Sequence, residues 1–224
     1  VSLREVHLMY TWHTLTIGHL SRNKFWGERE DTFYRKPLAT CTLLNGDTEH
    51  IVVDPSLPCN EMADALFNAS GLRPEQITKV FTTHYHFDHH VSPELFTAAQ
   101  WYMEARELQD LKTRWSEYHK IWAADSLDIV SRCKPVQGEL CEGVRLVALP
   151  GHTQWLHGLL FDAPEGRVLA TGDAVMTREF YRAGEAYFYG WDTGLAAHTV
   201  RVLRGSADVI IPGHGEAFRA KDYE

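Results

Sequence analysis

Apolar and polar positions alternate closely enough over Leu3–Tyr10 and Thr11–Ile17 to predict two β-strands at the start of the chain. The stretch SRNKFWGEREDTFYRK, within residues 18 to 38, mixes polar and aromatic residues without a period and reads as a loop. CTLLNGDTEHIVVDPS then predicts a hairpin, two apolar strands turning at Asn45-Gly46. NEMADALFNASG has the spacing of a short amphipathic helix closed by Gly71, and ITKVFTTH that of a buried strand ending at His84. Ser92-Pro93-Glu94 carries a helix-start signature, a serine cap followed by proline at the first helical position. From Glu104 to about Val130 the residues Leu108, Leu111, Trp115, Tyr118 and Trp122 recur three or four apart, which predicts a long helix. GVRLVALPGH and LHGLLFDAPEGRVLATGDA return to strands around a Pro-Glu-Gly turn. Asp192 is placed to cap a helix of roughly Thr193–Leu203 ended by Gly205, and DVIIPGHG closes the pattern with a strand.

Strands, helices, strands, helices and a strand follow one another without a linker, a repeat or a low-complexity segment. That order predicts a mixed α/β (α+β) chain in which two sheets pack face to face with helices outside. Its 224 residues fit one domain over 1–224, with a helical insert at about 104–130. A formal charge of −8 disfavours a nucleic-acid partner, because phosphate binding needs a basic face. Cys41, Cys59, Cys133 and Cys141 form no C-x-x-C pair and read as reduced thiols, which points to a cytoplasmic protein. No apolar run has membrane-spanning length. Aromatic residues along the long helix point to core packing or to a homodimer.

Chemistry concentrates in TTHYHFDHH, residues Thr82 to His90. Residues two apart on an extended backbone face the same way, so His84 and His86 can hold one ion while Asp88 and His89 reach a neighbouring one. Imidazole and carboxylate donors suit borderline divalent cations such as zinc, with iron or manganese as alternatives. A metal-free surface cluster is the competing explanation. It fits poorly with a run that follows directly on a buried strand, where solvated polar groups are disfavoured. Three further candidates end apolar strands beside glycines: His152 in LVALPGHT, Asp173 in VLATGDA and His214 in VIIPGHG.

Taken in order, H-x-H-x-D-H, then H, then D, then H resembles the metallo-β-lactamase-fold hydrolases, with N-acyl homoserine lactonases and glyoxalase II-type thioesterases as the nearest likeness. The resemblance implies a four-layer αββα sandwich with two metal ions, expected to be Zn2+, at one sheet edge. It implies that His84, His86 and His152 hold one ion, that Asp88, His89 and His214 hold the other, and that Asp173 bridges them. The implied activity is opening of a lactone, ester or thioester in a small-molecule substrate by a metal-bridging hydroxide, with Asp88 also taking the nucleophile's proton. A phosphodiesterase or nuclease on the same fold is the alternative, and a non-enzymatic metal-bound scaffold is a third. After the bridging aspartate, REFYRAGEAYFYGW is expected near the mouth of the site. Tyr181, Tyr187 and Tyr189, with Trp191, are candidates to line a substrate pocket, and Arg178 or Arg182 to pair with a substrate carboxylate. His90, His157 and His198 lie near the ligands and read as supporting or structural residues.

Overall fold

A computed structural model of the protein describes residues 8–92, 94–118, 129 and 131–223. Twelve strands among these residues form two six-stranded sheets. The first sheet runs β1 (Thr11–Thr16), β2 (Cys41–Asn45), β3 (His50–Val53), β4 (Lys79–Phe81), β5 (Gln100–Glu104) and β6 (Cys133–Val136) in that order. The second contains β7 (Glu139–Cys141), β8 (Val144–Ala148), β9 (His157–Ala163), β10 (Gly166–Gly172), β11 (Val209–Pro212) and β12 (Phe218–Arg219), again as sequence neighbours. The helices α1 (Cys59–Ser70), α2 (Ala105–Tyr118), α3 (Arg178–Ala183) and α4 (Thr193–Val202) accompany them.

Three apolar clusters separate four layers. Leu44, Ile51, Val53 and Phe81 of the first sheet meet Leu159, Phe161, Val168 and Ile211 of the second. Their sequence neighbours Leu43, Val52 and Val80 turn the other way, onto Met62 and Leu66 of α1 and Leu108 and Leu111 of α2. On the far side, Leu169 and Ile210 pack with Tyr181 of α3 and Val200 of α4. Strands buried on both faces cannot alternate apolar with polar, which is why the chain reads IVV and VII there. The arrangement is the expected αββα sandwich.

Direction of travel matters for the site. Strands β3 to β6 run parallel to one another, and β10 and β11 are parallel neighbours. Strand β9 is antiparallel to both β8 and β10, so β8, β10 and β11 end at one edge. Two backbone bonds tie the sheets there: Thr40 N–H donates to Gly213 O at 2.7 Å, and His157 N–H to Thr83 O at 3.3 Å.

Several local expectations differ from the structure. Residues 3–7 of the first expected strand lie outside the described residues, and Leu8–Tyr10 are not in a strand. No helix follows Ser92: residues 94–99 form turns, Phe96 is drawn into the core, and the buried Ser92 hydroxyl caps nothing. The chain needs that short span to enter β5, a strand whose Trp101 and Met103 face the helix side while Tyr102 faces the second sheet. Glu104 then caps α2, its carboxylate accepting from Arg106 N at 2.7 Å and Glu107 N at 3.0 Å. Leu108 and Leu111 are buried and Trp115 packs beside them, so the described part of the aromatic stripe serves this chain's own core. Trp122 lies outside the described residues. All four cysteines are free, and among the described residues no helix is long and apolar enough to cross a membrane.

Candidate metal centre

The seven expected ligands come together at the seam between the sheets. Strand β4 delivers His84 and His86, and a single 3-10 turn, Phe87–His89, adds Asp88 and His89. His152 follows β8, Asp173 directly follows β10 and His214 follows β11. They fall into two groups, His84, His86, His152 and Asp173 in one and Asp88, His89 and His214 in the other, with the donor atoms of each group within 4.8 Å of one another. Asp173 faces both. Its Oδ2 lies 3.2 Å from His152 Nε2 and 3.9 Å from His84 Nε2, whereas Oδ1 lies 3.1 Å from His89 Nε2 and 3.2 Å from His214 Nε2.

Outer hydrogen bonds set which nitrogen each imidazole presents. His214 Nδ1–H donates to Leu38 O at 2.8 Å, and His89 Nδ1–H donates to Asp54 Oδ2 at 2.9 Å. Thr83 gives its hydroxyl proton to Asp54 at 2.8 Å, so its oxygen receives His84 Nδ1–H at 3.1 Å. These three histidines therefore turn Nε2, the nitrogen left for a metal, inward. His86 presents Nδ1 instead, 3.0 Å from His84 Nε2 and 2.8 Å from His152 Nε2.

Asp54 escapes notice in the sequence. It follows β3 in VVDPS, is 2 % exposed, and holds φ at 52°, in the left-handed region that aspartate tolerates better than most residues. Its carboxylate also accepts Thr83 N–H at 2.8 Å. An Asp-Pro pair after an apolar strand signals a turn and says nothing of a distant histidine. Glu107 was missed for a similar reason. Fully buried at the start of α2, it accepts Tyr85 N–H at 3.3 Å and the Thr153 hydroxyl at 2.9 Å, tying together the two loops that carry His84, His86 and His152. Burial pushes its carboxyl up to about 8.

Charge is divided across the centre. Burial, and then the neighbouring imidazoles, hold His84 and His86 well below the ordinary histidine value; burial also lowers His152. Burial opposes charge on His89 and His214 as well, but Asp173 outweighs it, helped by Asp54 for His89 and Asp88 for His214, so both are raised. Asp173 is buried yet held well below the usual carboxylate range by His214, His89 and His152.

This set fits divalent cations. His89 Nε2 and Asp173 Oδ1 are both buried and only 3.1 Å apart, yet neither forms a hydrogen bond. Imidazole and carboxylate donor atoms gathered to 2.8–3.2 Å approach the spacing of about 3.3 Å that a tetrahedral zinc shell imposes. Gly213 is required beside them, because a Cβ there would lie 2.1 Å from Asp173 Oδ1.

A cavity of about 490 Å3 opens onto His86, Asp88, His152, Asp173 and His214. Leu20, Pro37, Phe87, Met176, Tyr187 and Tyr189 supply much of its wall. The loop of residues 18–38 thus forms one wall of the pocket. Four expected residues do not border it: Tyr181, Trp191, Arg178 and Arg182. Tyr181 is fully buried against Phe218 in the outer core, because α3 turns it toward the sheet. Arg178 pairs with Glu216 at 2.6 Å and does not border the cavity. His90 donates to Tyr85 O at 2.9 Å, His157 to Trp155 O at 2.7 Å, and His198 is exposed.

The family model of the metallo-β-lactamase superfamily matches residues 36–214, which hold all seven of these side chains. The chain belongs to the metallo-β-lactamase superfamily. Among curated relatives of this superfamily member, an N-acyl homoserine lactonase of Bacillus cereus is 30% identical over 137 residues, 60% of this chain and 52% of the relative. An N-acyl homoserine lactonase of Bacillus thuringiensis is 26% identical over 179 residues, 77% of this chain and 69% of the relative. The match thus spans about half the length of the B. cereus protein. A solved mutant of B. thuringiensis AiiA, with N-decanoyl-L-homoserine bound at its active site, shares the fold at a TM-score of 0.65 and 20% identity, covering 90% of this chain and 89% of that one.

Proposed function

We propose that this superfamily member is a dinuclear metal-dependent hydrolase that opens a lactone, ester or thioester bond of a small molecule. The observation that carries this reading is Asp173, whose two oxygens face two separate imidazole groups at the floor of the cavity. In the proposed reaction the oxygen of water bonds to the carbonyl carbon and the carbon–oxygen or carbon–sulfur bond breaks. One proton of the water goes to the departing atom and the other is released, leaving a carboxylate and an alcohol or thiol. His84, His86 and His152 would hold one cation and Asp88, His89 and His214 the second, with Asp173 between them. Bound there, zinc, iron or manganese would lower the pKa of water towards about 7 and polarise the carbonyl. Asp88 borders the cavity and carries the proton from water to the leaving atom. Tyr187 and Tyr189 hold the acyl portion against the wall. The names of the Bacillus relatives support the lactone arm of this reading.

The test combines metal analysis of the purified chain with a screen of lactones, esters, thioesters, phosphodiesters and a chromogenic β-lactam, with His86→Ala as control. Two equivalents of metal and turnover of a carbonyl substrate that collapses in His86→Ala are expected. Turnover of phosphodiesters alone would replace the carbonyl reading by the nuclease alternative. Undiminished activity in His86→Ala would remove the centre from the chemistry.

A further inference from the structure

The chain carries eight more acidic than basic groups, yet the cavity wall outside the candidate ligands carries only cations. Among the described residues its only carboxylates are the candidate ligands Asp88 and Asp173, and the rest of the wall carries two cations, Arg22 and Lys36. Other basic residues of the same loop are engaged: Lys24 with Glu185, Arg29 with Asp31 and Arg35 with Glu28. Neither Arg22 nor Lys36 forms a close ion pair among the described residues, although Arg22 lies near enough to Asp31 to help lower its carboxyl. Arg22 is held in place by other means. Its Nη1 donates to Glu30 O, and its guanidinium carbon lies 5.0 Å from the centre of the Phe188 ring. Its Nε is buried without a hydrogen-bond partner. The Tyr187 hydroxyl lies 3.2 Å from Ser21 Oγ and donates to Arg22 O at 3.2 Å, sewing the loop to the opposite wall.

The half-buried Arg22, with its unpartnered Nε, would recover desolvation on meeting an anion, and its field together with that of the exposed Lys36 draws anions in. Arg178, the sequence candidate for this role, is occupied by Glu216 outside the cavity. We propose that Arg22 and Lys36 form an anion-recognition pair that selects substrates bearing a carboxylate in addition to the bond that is cleaved. The substrate class is then an ω-carboxyacyl ester, thioester or lactone, with an apolar spacer against Leu20, Met176 and Phe188. This inference rests on the hydrolase reading given above.

The metal-loaded protein, with Arg22→Gln, Lys36→Gln and the double variant, would be assayed on matched lactone, methyl-ester and thioester pairs. One member of each pair is neutral and the other ends in a carboxylate. The readout is the ratio of kcat/KM for the charged over the neutral member, at low and high salt. The charged member is expected to be preferred about tenfold or more, with each substitution lowering the ratio about fivefold and salt eroding it. A ratio near one, or a preference that survives in the double variant, overturns the inference while leaving the hydrolase reading intact. If no pair is turned over, the hydrolase reading falls and calorimetry with monomethyl adipate decides the inference. Binding weakened about tenfold by the double variant sustains it, whereas equal or absent binding ends it. Circular dichroism and metal content confirm that each variant is folded and loaded.

Discussion

Replacing Glu107 by glutamine isolates the effect of one buried acid. Its carboxyl is fully buried and accepts Tyr85 N–H and the Thr153 hydroxyl, contacts that glutamine's carbonyl and amide can partly reproduce. Burial raises the group to about 8, against an ordinary value of 4.5. Below 4.5 the acid is neutral in both folded and unfolded chains and has no effect on the pH dependence of stability. Between 4.5 and 8 the folded chain holds a proton that the unfolded chain has lost, so raising the pH costs about 1.4 kcal/mol per pH unit. Above 8 the loss levels off, after a total on the order of 5 kcal/mol. Glutamine does not titrate and removes this slope. Urea denaturation of wild type and Glu107→Gln, both treated with chelator, at closely spaced pH values from 5 to 9 tests this directly. Other titrating groups cancel in the difference between the two proteins. The variant should gain on wild type steadily up to about pH 8 and hold a constant difference beyond it. Parallel stability curves would refute the reasoning, since they mean that Glu107 titrates alike in both states.

Three further outcomes follow from particular contacts. Asp54→Asn keeps the shape but takes the anion from behind His89, and should weaken metal binding about 10- to 100-fold in a competition titration with a chromogenic chelator. Gly213→Ala drives a methyl group into Asp173, and metal analysis should find the protein folded but under-loaded. Tyr181→Ala should cost about 3–5 kcal/mol in denaturant unfolding, as a core truncation, whereas Tyr189→Ala should leave stability near wild type and raise KM.

The ligand set was legible because metal ligands must be chemically specific and because each ends an apolar strand, a pattern visible without coordinates. Layering was legible for a related reason, since doubly buried strands have to be apolar throughout. What stayed hidden depends on partners far away in sequence. Strand β5 is hidden because no turn residue separates Trp101, Met103 and Glu104 from Ala105, where α2 begins. Ser92 looks like a cap until the core claims Phe96. Tyr181 and Tyr187 stand six residues apart in one aromatic run, and only the short helix α3, closed by Gly184 at φ 64°, turns one inward and leaves the other at the cavity. Arg22 and Lys36 sat in a segment with no period, and such a segment gives no clue to which wall it will cover.

The position of the centre on the seam has a consequence for how the molecule is assembled. Donors from β4, β8, β10 and β11 belong to two sheets and span 131 positions, so neither half of the chain owns a complete site. An ion caught there acts as a clasp: it can close only after long loops have been gathered in, and it then favours the fully docked arrangement by mass action. Starving the protein of metal should therefore loosen the joint between the halves before it melts either one.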